Sequence, residues 1–339
     1  MFSSFHVTAR AGQMLAAFLT AAAIAACGTD EPTAPRASSP GGPSAAVASA
    51  RGCVPKCGAD QILFVKADPI AQPWPGHIWV MNADTTGKTQ LTFGNGDDDY
   101  PAWSPNYKKV VFSTNRRGYW ELFVVNADGT GLKPLTDAVN QSSDLYASWA
   151  PDGSKIYFTR TTPDFAKATS HSEIWSVNAN GTGLAKVSND SANLYFPSVS
   201  PDGKKIVVAR LASASWGDAR LYTMNTDGTG MAMLTDGWLG DGEPSWSPDG
   251  TKVAFTCREG FVDYRDVCVV NADGTDRKAI IAWQGQQTNP SFSRDGSRIV
   301  FESYPDGYPR LYSVKLDGTS PMQLTPVVRS AYYNAAWSR

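Results

Sequence analysis

The amino-acid sequence predicts an all-β protein, and more specifically a six-bladed β-propeller. A short motif recurs six times along the chain, and each copy contains one apolar marker residue. The marker residues are Trp103, Trp149, Val199, Trp246, Phe292 and Trp337. Their successive spacings are 46, 50, 47, 46 and 45 residues. Repeats of this length in a strand-rich sequence are typical of propellers, whose blades each contain four antiparallel strands.

The elements of one repeat follow from its turn residues. The motif is most complete at residues 244–250, which read Pro-Ser-Trp-Ser-Pro-Asp-Gly, so that a marker strand ends in a Pro-Asp-Gly turn. A β-branched and aromatic run, such as residues 253–255, predicts a buried second strand. The third strand ends at an Asn-x-Asp-Gly turn, as at residues 271–274, in which glycine takes a positive φ. A short Leu-Thr strand closes most repeats, as at residues 234–235.

The two ends of the repeat region complete each other. Residues 61–92 contain three predicted strands without a marker strand before them, and residues 334–339 are a marker strand with nothing after it. Side by side they make one blade, which closes the ring and leaves no sheet edge exposed. The predicted propeller spans residues 60–339 and is closed by pairing of the C-terminal strand with the N-terminal blade. The preceding residues 27–59 are rich in Pro, Ser and Ala, and we expect them to form a flexible tether.

Residues 1–26 have the features of an export signal. Arg10 precedes an Ala-rich apolar stretch that is too short to span a bilayer. The stretch ends Ile-Ala-Ala-Cys at residues 24–27, which resembles a bacterial lipobox, so Cys27 is predicted to be the lipidated first residue of the mature protein. The alternative is an ordinary signal peptide that is cut nearby. Gly28 matches lipoproteins sent to the outer membrane, and we expect an exported protein, lipid-anchored on the outer-membrane or periplasmic side.

Composition limits the function classes. The chain has 30 Lys and Arg against 32 Asp and Glu, and removal of residues 1–26 takes away one Arg and leaves 29 against 32. No basic patch is present, which argues against a nucleic-acid partner. The sequence contains three His and no Gly-x-Ser-x-Gly elbow, phosphate-binding glycine loop or His–carboxylate cluster. We therefore expect no enzyme activity, no cofactor and no metal. We also expect the protein to be a monomer.

The cysteines indicate an oxidising compartment. Cys257 and Cys268 lie on successive strands of one hairpin, at a separation that could place them opposite each other. Cys53 and Cys57 lie close together before the first strand. We predict two disulfides, Cys257–Cys268 and Cys53–Cys57. A zinc site is the alternative, and a Cys-x₃-Cys pair without a nearby His supports it only weakly.

The loops that enter the marker strands carry polar and aromatic residues. In a propeller the marker strand lines the central channel, so these residues should meet at one mouth of it. We predict a binding surface there, in which carboxylates form an acidic, aromatic-edged funnel. The alternative is that Asp and Asn cap turns and that Tyr packs between blades. The candidate residues are Asp98, Asp99, Tyr100, Asp144, Tyr146, Tyr195, Asp241, Glu243, Asn289 and Tyr333.

The repeated Pro-x-Trp-Ser-Pro-Asp-Gly, Ile-x-Phe, Asn-x-Asp-Gly-Thr-Gly and Leu-Thr segments resemble the TolB-like six-bladed β-propeller family over about residues 60–339. The resemblance implies recognition at the propeller mouth, which in TolB receives the lipoprotein Pal and segments of toxin proteins. We do not expect the α/β domain that precedes the TolB propeller in this chain. The repeats also resemble the propellers of prolyl-oligopeptidase-type enzymes and of oligogalacturonate lyases, whose hydrolase domain and histidines this sequence lacks.

Together these features predict a membrane-anchored binding or scaffold protein of the cell envelope. Its partner would be an envelope protein or a peptide segment that binds at the propeller mouth, and the lipid anchor would contact the membrane. The alternative is a lipoprotein that binds, or processes, a small ligand or carbohydrate in the same funnel.

Overall fold

The computed structural model describes residues 60–67, 75–211, 216–236, 240–258, 264–326 and 330–338. Within these ranges it contains 24 β-strands in six four-stranded antiparallel sheets and no α-helix. The predicted six-bladed propeller is therefore confirmed. None of the described segments forms a helix of the length and apolarity needed to span a membrane. The predicted signal (residues 1–26), tether (residues 27–59), lipidation site Cys27 and Cys53–Cys57 disulfide lie outside the described residues.

Each blade runs from the channel outward through four strands. The innermost strands are β4 (Asp98–Trp103), β8 (Ser143–Trp149), β12 (Asn193–Val199), β16 (Gly242–Trp246), β20 (Gln287–Phe292) and β24 (Ala331–Trp337). The second strands are β5 (Lys109–Thr114), β9 (Lys155–Asp164), β13 (Lys205–Leu211), β17 (Lys252–Cys257), β21 (Arg298–Ser303) and β1 (Gln61–Ala67). The third strands are β6 (Glu121–Asn126), β10 (Thr169–Asn178), β14 (Ala219–Asn225), β18 (Asp266–Asn271), β22 (Arg310–Lys315) and β2 (Gly76–Asn82). The outermost strands are β7 (Lys133–Pro134), β11 (Ala185–Lys186), β15 (Ala232–Met233), β19 (Lys278–Ile281), β23 (Met322–Gln323) and β3 (Thr89–Gln90).

The outermost strands end earlier than the sequence predicts. In most blades the Leu-Thr pair follows the strand instead of forming it. In the first complete blade the N–H of Leu135 donates to the carbonyl of Leu122 over 2.8 Å. The hydroxyl of Thr136 accepts from the N–H of Leu122 over 3.0 Å. Thr is thus used at this position because its side chain caps the start of the third strand.

Two of the marker Trp residues, Trp149 and Trp246, connect neighbouring blades by a hydrogen bond. The indole N–H of Trp149 donates to the carbonyl of Ala102 in the preceding blade over 3.3 Å. The indole N–H of Trp246 makes the same contact with the carbonyl of Ser198 over 3.1 Å. Both indoles are also largely buried among apolar residues. Each therefore stabilises the blade contact by burying apolar surface, and its one hydrogen bond fixes its orientation.

The ring closes as the sequence predicts. Strand β24 pairs antiparallel with β1, with Trp337 opposite Ile62. The N–H of Gln61 donates to the Ser338 hydroxyl over 2.9 Å, and the N–H of Ser338 donates to the Gln61 carbonyl over 2.8 Å. The last strand therefore becomes the inner strand of the blade whose other three strands are the first of the propeller.

The predicted disulfide between Cys257 and Cys268 is present, with Cα atoms 5.7 Å apart. It links β17 and β18 within one blade, and both cysteines are fully buried. The two residues are diagonal neighbours instead of being directly opposite, because Cys268 pairs with Phe255 in the ladder. Diagonal positions remain within disulfide range on a twisted pair of strands.

Candidate binding site in the central channel

All six inner strands contain a β-bulge at the same place. The register with the second strand shifts there, as between Asp99 and Ala102 in β4. One residue of each bulge has a positive φ although it is not glycine, which is uncommon and costs about 1–3 kcal/mol per residue. These six residues, which we call the channel ring, are Tyr100 (φ 50°), Tyr146 (61°), Phe196 (55°), Glu243 (52°), Asn289 (52°) and Asn334 (49°).

One half of the channel ring is aromatic. Tyr100, Tyr146 and Phe196 come from three consecutive blades and contact one another. The ring centroids of Tyr100 and Tyr146 are 4.4 Å apart, and those of Tyr146 and Phe196 are 4.1 Å apart. Burial raises the pKa of both tyrosines, and the nearby negative charges of Asp99 and Glu243 raise it further. Both phenols are therefore neutral at ordinary pH.

The other half of the channel ring is polar and continuous. Oε2 of Glu243 accepts from the backbone N–H of Asn289 over 2.9 Å. The side-chain amide of Asn289 donates to Oδ1 of Asn334 over 2.9 Å, and that of Asn334 donates to Asp99. Asp99 precedes Tyr100 in β4, so the polar chain leads back to the aromatic half. Hydrogen bonds thereby connect the polar ring positions from one blade to the next.

A buried carboxyl supports the polar half from behind. Glu302 on β21 accepts from the side-chain amide of Asn289 over 2.7 Å and from the backbone N–H of Asn334 over 2.6 Å. It also accepts from the hydroxyl of Tyr304 over 2.9 Å. Burial raises the pKa of Glu302 from 4.5 to about 7, and the negative charge of Glu243 adds to this, whereas the hydrogen bonds lower it.

A cavity of about 390 Å³ lies on one side of the channel ring. On each inner strand its lining begins at the ring residue and continues toward the C-terminal end of the strand, as from Tyr100 to Pro105 and from Phe196 to Pro201. Among the described residues that line it, Glu243 has the only charged side chain. The cavity therefore has aromatic, proline-rich walls, two amides and one carboxylate.

The structure brings together four of the predicted site residues. Tyr100, Tyr146, Glu243 and Asn289 all belong to the channel ring and line the cavity. Asp99 is hydrogen-bonded to the ring at Asn334 without lining the cavity.

Three predicted carboxylates lie elsewhere. They are at or near the starts of inner strands, on the other side of the ring from the cavity, and their side chains are fully buried. Each is paired with an arginine from the same blade. The pairs are Asp98–Arg116 (2.6 Å), Asp144–Arg160 (2.6 Å) and Asp241–Arg277 (3.2 Å). These aspartates are therefore engaged in buried contacts, which for Asp98 include Nδ1 of His77 in the neighbouring blade at 3.2 Å, and they do not line the cavity.

Two predicted tyrosines also lie outside the cavity. Tyr333 is buried in the apolar core beside Val65. Tyr195 is partly buried next to Phe196, with ring centroids 6.2 Å apart.

Two channel-ring residues, Phe196 and Asn334, are not among the candidate site residues predicted from the sequence. A signal for them exists, because every channel-ring residue lies three positions before its marker residue, as Phe196 does before Val199 and Asn334 before Trp337. Counting back from the marker in each repeat would have found all six ring positions. No group of three or more metal-ligating side chains occurs in the part of the chain that the structure describes.

The fold and the site define the protein as a six-bladed propeller with a binding-sized cavity in its channel. The TolB beta propeller domain family matches residues 72–239 and 242–339. The chain belongs to this family.

Solved structures support the same fold. TolB from Acinetobacter baumannii superposes with a TM-score of 0.72 at 18% identity, covering 84% of this chain and 68% of that one. The putative TolB from Agrobacterium tumefaciens gives a TM-score of 0.62 at 17% identity, covering 83% and 99%. Identities this low show the fold alone.

Sequence relatives match over shorter segments. The Tol-Pal system protein TolB of Anaeromyxobacter dehalogenans (strain 2CP-C) is 30% identical over 92 residues, which are 27% of this chain and 19% of that protein. An uncharacterized Agrobacterium fabrum protein is 31% identical over 81 residues, or 24% and 27%. The matched region thus spans about a quarter or less of these relatives.

Proposed function

We propose that this protein is a binding module of the cell envelope that receives a segment of a partner protein in the channel cavity, without covalent chemistry. The observation that carries the proposal is the channel ring. Six residues with strained backbone line a cavity whose volume is within the usual range for binding sites, about 300–1,000 Å³. Strained backbone that is held in place by its surroundings is most often retained where it serves a function.

The family supports a protein partner. Relatives that share the repeats include proteins named for the Tol-Pal system, and the TolB-like resemblance implies that the propeller mouth receives protein segments. The cavity fits such a segment because its aromatic and proline walls offer apolar area while its amides and carboxylate provide orientation. The partner proposed here is therefore an envelope protein whose exposed segment enters the channel of a monomeric propeller.

Site-specific photo-crosslinking in cells tests this proposal. A photoreactive phenylalanine would replace Pro105, an exposed residue of the cavity rim, and as a matched control Pro134 on an outermost strand. We expect a defined protein to be captured from position 105 only, and to be lost when Phe196→Ala opens the aromatic half. The proposal would be contradicted if the same proteins were captured from both positions, or if Phe196→Ala did not change the capture from position 105.

We also propose that the protein is exported and held on the outer-membrane or periplasmic side by lipid on Cys27. The lipobox-like residues 24–27 support this. Labelled palmitate should be incorporated into the native chain and not into the Cys27→Ser variant, which should move to the soluble fraction. Unchanged labelling would contradict the lipid anchor.

A small ligand, such as a carbohydrate, is the second candidate. The observation that favours it is the arc of three aromatic rings that lines the same cavity as amide and carboxylate groups. A ligand that binds only the folded state raises the melting temperature according to ln(1 + [L]/Kd). A sugar that raises Tm for the native protein and not for Phe196→Ala would favour this candidate over the protein partner.

A further inference from the structure

The carboxylates around the channel differ in whether a basic side chain neutralises them. Asp98, Asp144 and Asp241 each have a buried or half-buried arginine. The Glu243 carboxylate is instead contacted by neutral groups, the Thr256 hydroxyl at 2.6 Å and the backbone of the next ring residue. No described Lys, Arg or His lies within ion-pair distance of it. A partly buried carboxylate without a counter-ion favours a ligand that brings a positive charge.

Hydrogen bonding leaves one oxygen of Glu243 available. Oε2 accepts from Thr256 and from Asn289, whereas no hydrogen bond from the described part of the chain reaches Oε1. The amide groups of Asn289 and Asn334 are already engaged with each other and with neighbouring carboxyl groups. A guanidinium binds best when two acceptors face its fork, while an ammonium group can donate to one. The available acceptor therefore suits an amine better than a guanidinium.

The aromatic half of the channel ring lines the same cavity as this carboxylate and ends in the blade next to it. Phe196 is the ring residue of the blade before Glu243, and a Cβ built on Gly242 would lie 3.9 Å from the Phe196 ring. Tyr146 and Tyr100 continue the arc at centroid separations of 4.1 and 4.4 Å. Aromatic faces attract cations, most strongly in sites withdrawn from water. Phe196 and Glu243 thus place an aromatic ring and a negative charge next to each other in the lining of the channel cavity.

We propose that the channel cavity recognises a primary ammonium group, carried either by a lysine side chain or by the N terminus of a peptide. The charge binds to Oε1 of Glu243, and the carbon atoms next to it pack on the aromatic half of the ring. This inference rests on the proposed function, because it names the chemical group by which the partner segment is held.

Titration of the purified full chain with small blocked amino acids tests the inference. The probes are Nα-acetyl-lysine N-methylamide, its neutral analogue Nα-acetyl-norleucine N-methylamide, Nα-acetyl-arginine N-methylamide, and alanine N-methylamide, which carries a free α-amine. We expect at least one amine probe to bind about tenfold or more tightly than the norleucine probe, as a charge-assisted bond implies. The arginine probe should bind more weakly than that amine. Whether the lysine or the alanine probe binds better distinguishes a side chain from an N terminus.

Three variants assign the effect to the ring. Glu243→Gln keeps the shape and should abolish the preference for the amine over norleucine. Phe196→Leu keeps an apolar side chain and should weaken amine binding about threefold. Glu173→Gln, a matched substitution on β10 away from the cavity, should leave the Kd unchanged. The melting temperature of each variant, measured first, shows that it is folded.

Several outcomes would overturn the inference. They are a norleucine probe that binds as tightly as the amines, an arginine probe that binds more tightly than the amines, an amine preference that survives Glu243→Gln, and no binding of any probe. If crosslinking from position 105 still captures one partner while the amines bind no better than norleucine, the proposed function stands and this inference fails. If the amines bind as expected and no protein is captured, the cavity serves small amines and the proposed protein-binding function fails.

Discussion

Replacement of Asp144 by leucine should destabilise the propeller strongly, because it leaves the guanidinium of Arg160 buried without its carboxylate. Arg160 is 3% exposed, and its Nε and one terminal nitrogen each donate to a different oxygen of Asp144 over 2.6 Å. Removal of one partner of such a pair costs about 3–5 kcal/mol. A domain of about 280 residues loses about 1.7 °C per kcal/mol, because its entropy of unfolding grows with its length, so Tm should fall by roughly 5–9 °C.

A double variant separates the lost ion pair from simple loss of packing. In the following blade Leu194 lies opposite Arg210, at the ladder positions that correspond to Asp144 and Arg160, so leucine fits this place in the fold. Asp144→Leu combined with Arg160→Met should recover most of the lost stability, because an apolar pair of similar volume replaces the buried charges. Scanning calorimetry measures all three variants.

The matched control for these variants is Lys167→Ala. Its side chain is 77% exposed and also pairs with an aspartate, so Tm should change little. If Asp144→Leu is no less stable than this control, or if the double variant is no more stable than the single one, the buried pair does not contribute as argued.

Three further predictions concern the channel support, the disulfide and one turn. Burial raises the pKa of Glu302 from 4.5 to about 7. Between these two pH values the folded state binds more protons than the unfolded state, so the free energy of unfolding should fall by about 3 kcal/mol as the pH rises from 4.5 to about 7. Urea unfolding at pH 4.5 and pH 8 should show that Glu302→Gln removes this fall, and an unchanged fall would contradict the assignment. Changing Cys257 and Cys268 together to alanine should lower the free energy of unfolding by about 2–4 kcal/mol, because the bridge closes a loop between residues 11 apart; chemical denaturation measures this, and no loss would refute it. Gly228→Ala should cost clearly more than Gly307→Ala in the same assay, since both have a positive φ but the added Cβ would lie 1.9 Å from a carbonyl oxygen of the preceding blade only at Gly228.

The number of blades and the closure of the ring were predictable because both depend on residues that repeat. The Pro-Asp-Gly and Asn-x-Asp-Gly turns place glycine where a positive φ is required, as at Gly153 and Gly129, and these turns mark where each strand ends. The unpaired marker strand at one end of the repeat region supplies the strand that the incomplete blade at the other end lacks, so the two together form one blade. The fold could therefore be predicted from the turn residues and the repeat spacing alone.

The site was less accessible from the sequence, for two physical reasons. The bulges place Tyr, Phe, Glu and Asn at positive φ, so no glycine marks the residues that turn toward the channel. The ion-pair partners of the inner-strand aspartates come from other strands, as Arg160 does for Asp144. A pattern of acidic residues cannot reveal whether each one already has such a partner. The expectation of five grouped carboxylates therefore could not distinguish Glu243 from Asp144.

The pairing of β24 with β1 has a kinetic consequence. It joins residues 277 positions apart, so the entropy of closing nearly the whole chain must be lost before the final blade forms. Until then a partly folded ring presents the inner edge of β1, and the strand that fits it is present in every other copy of the chain. Conditions that slow closure should therefore favour exchange of this strand between molecules, which would give domain-swapped oligomers.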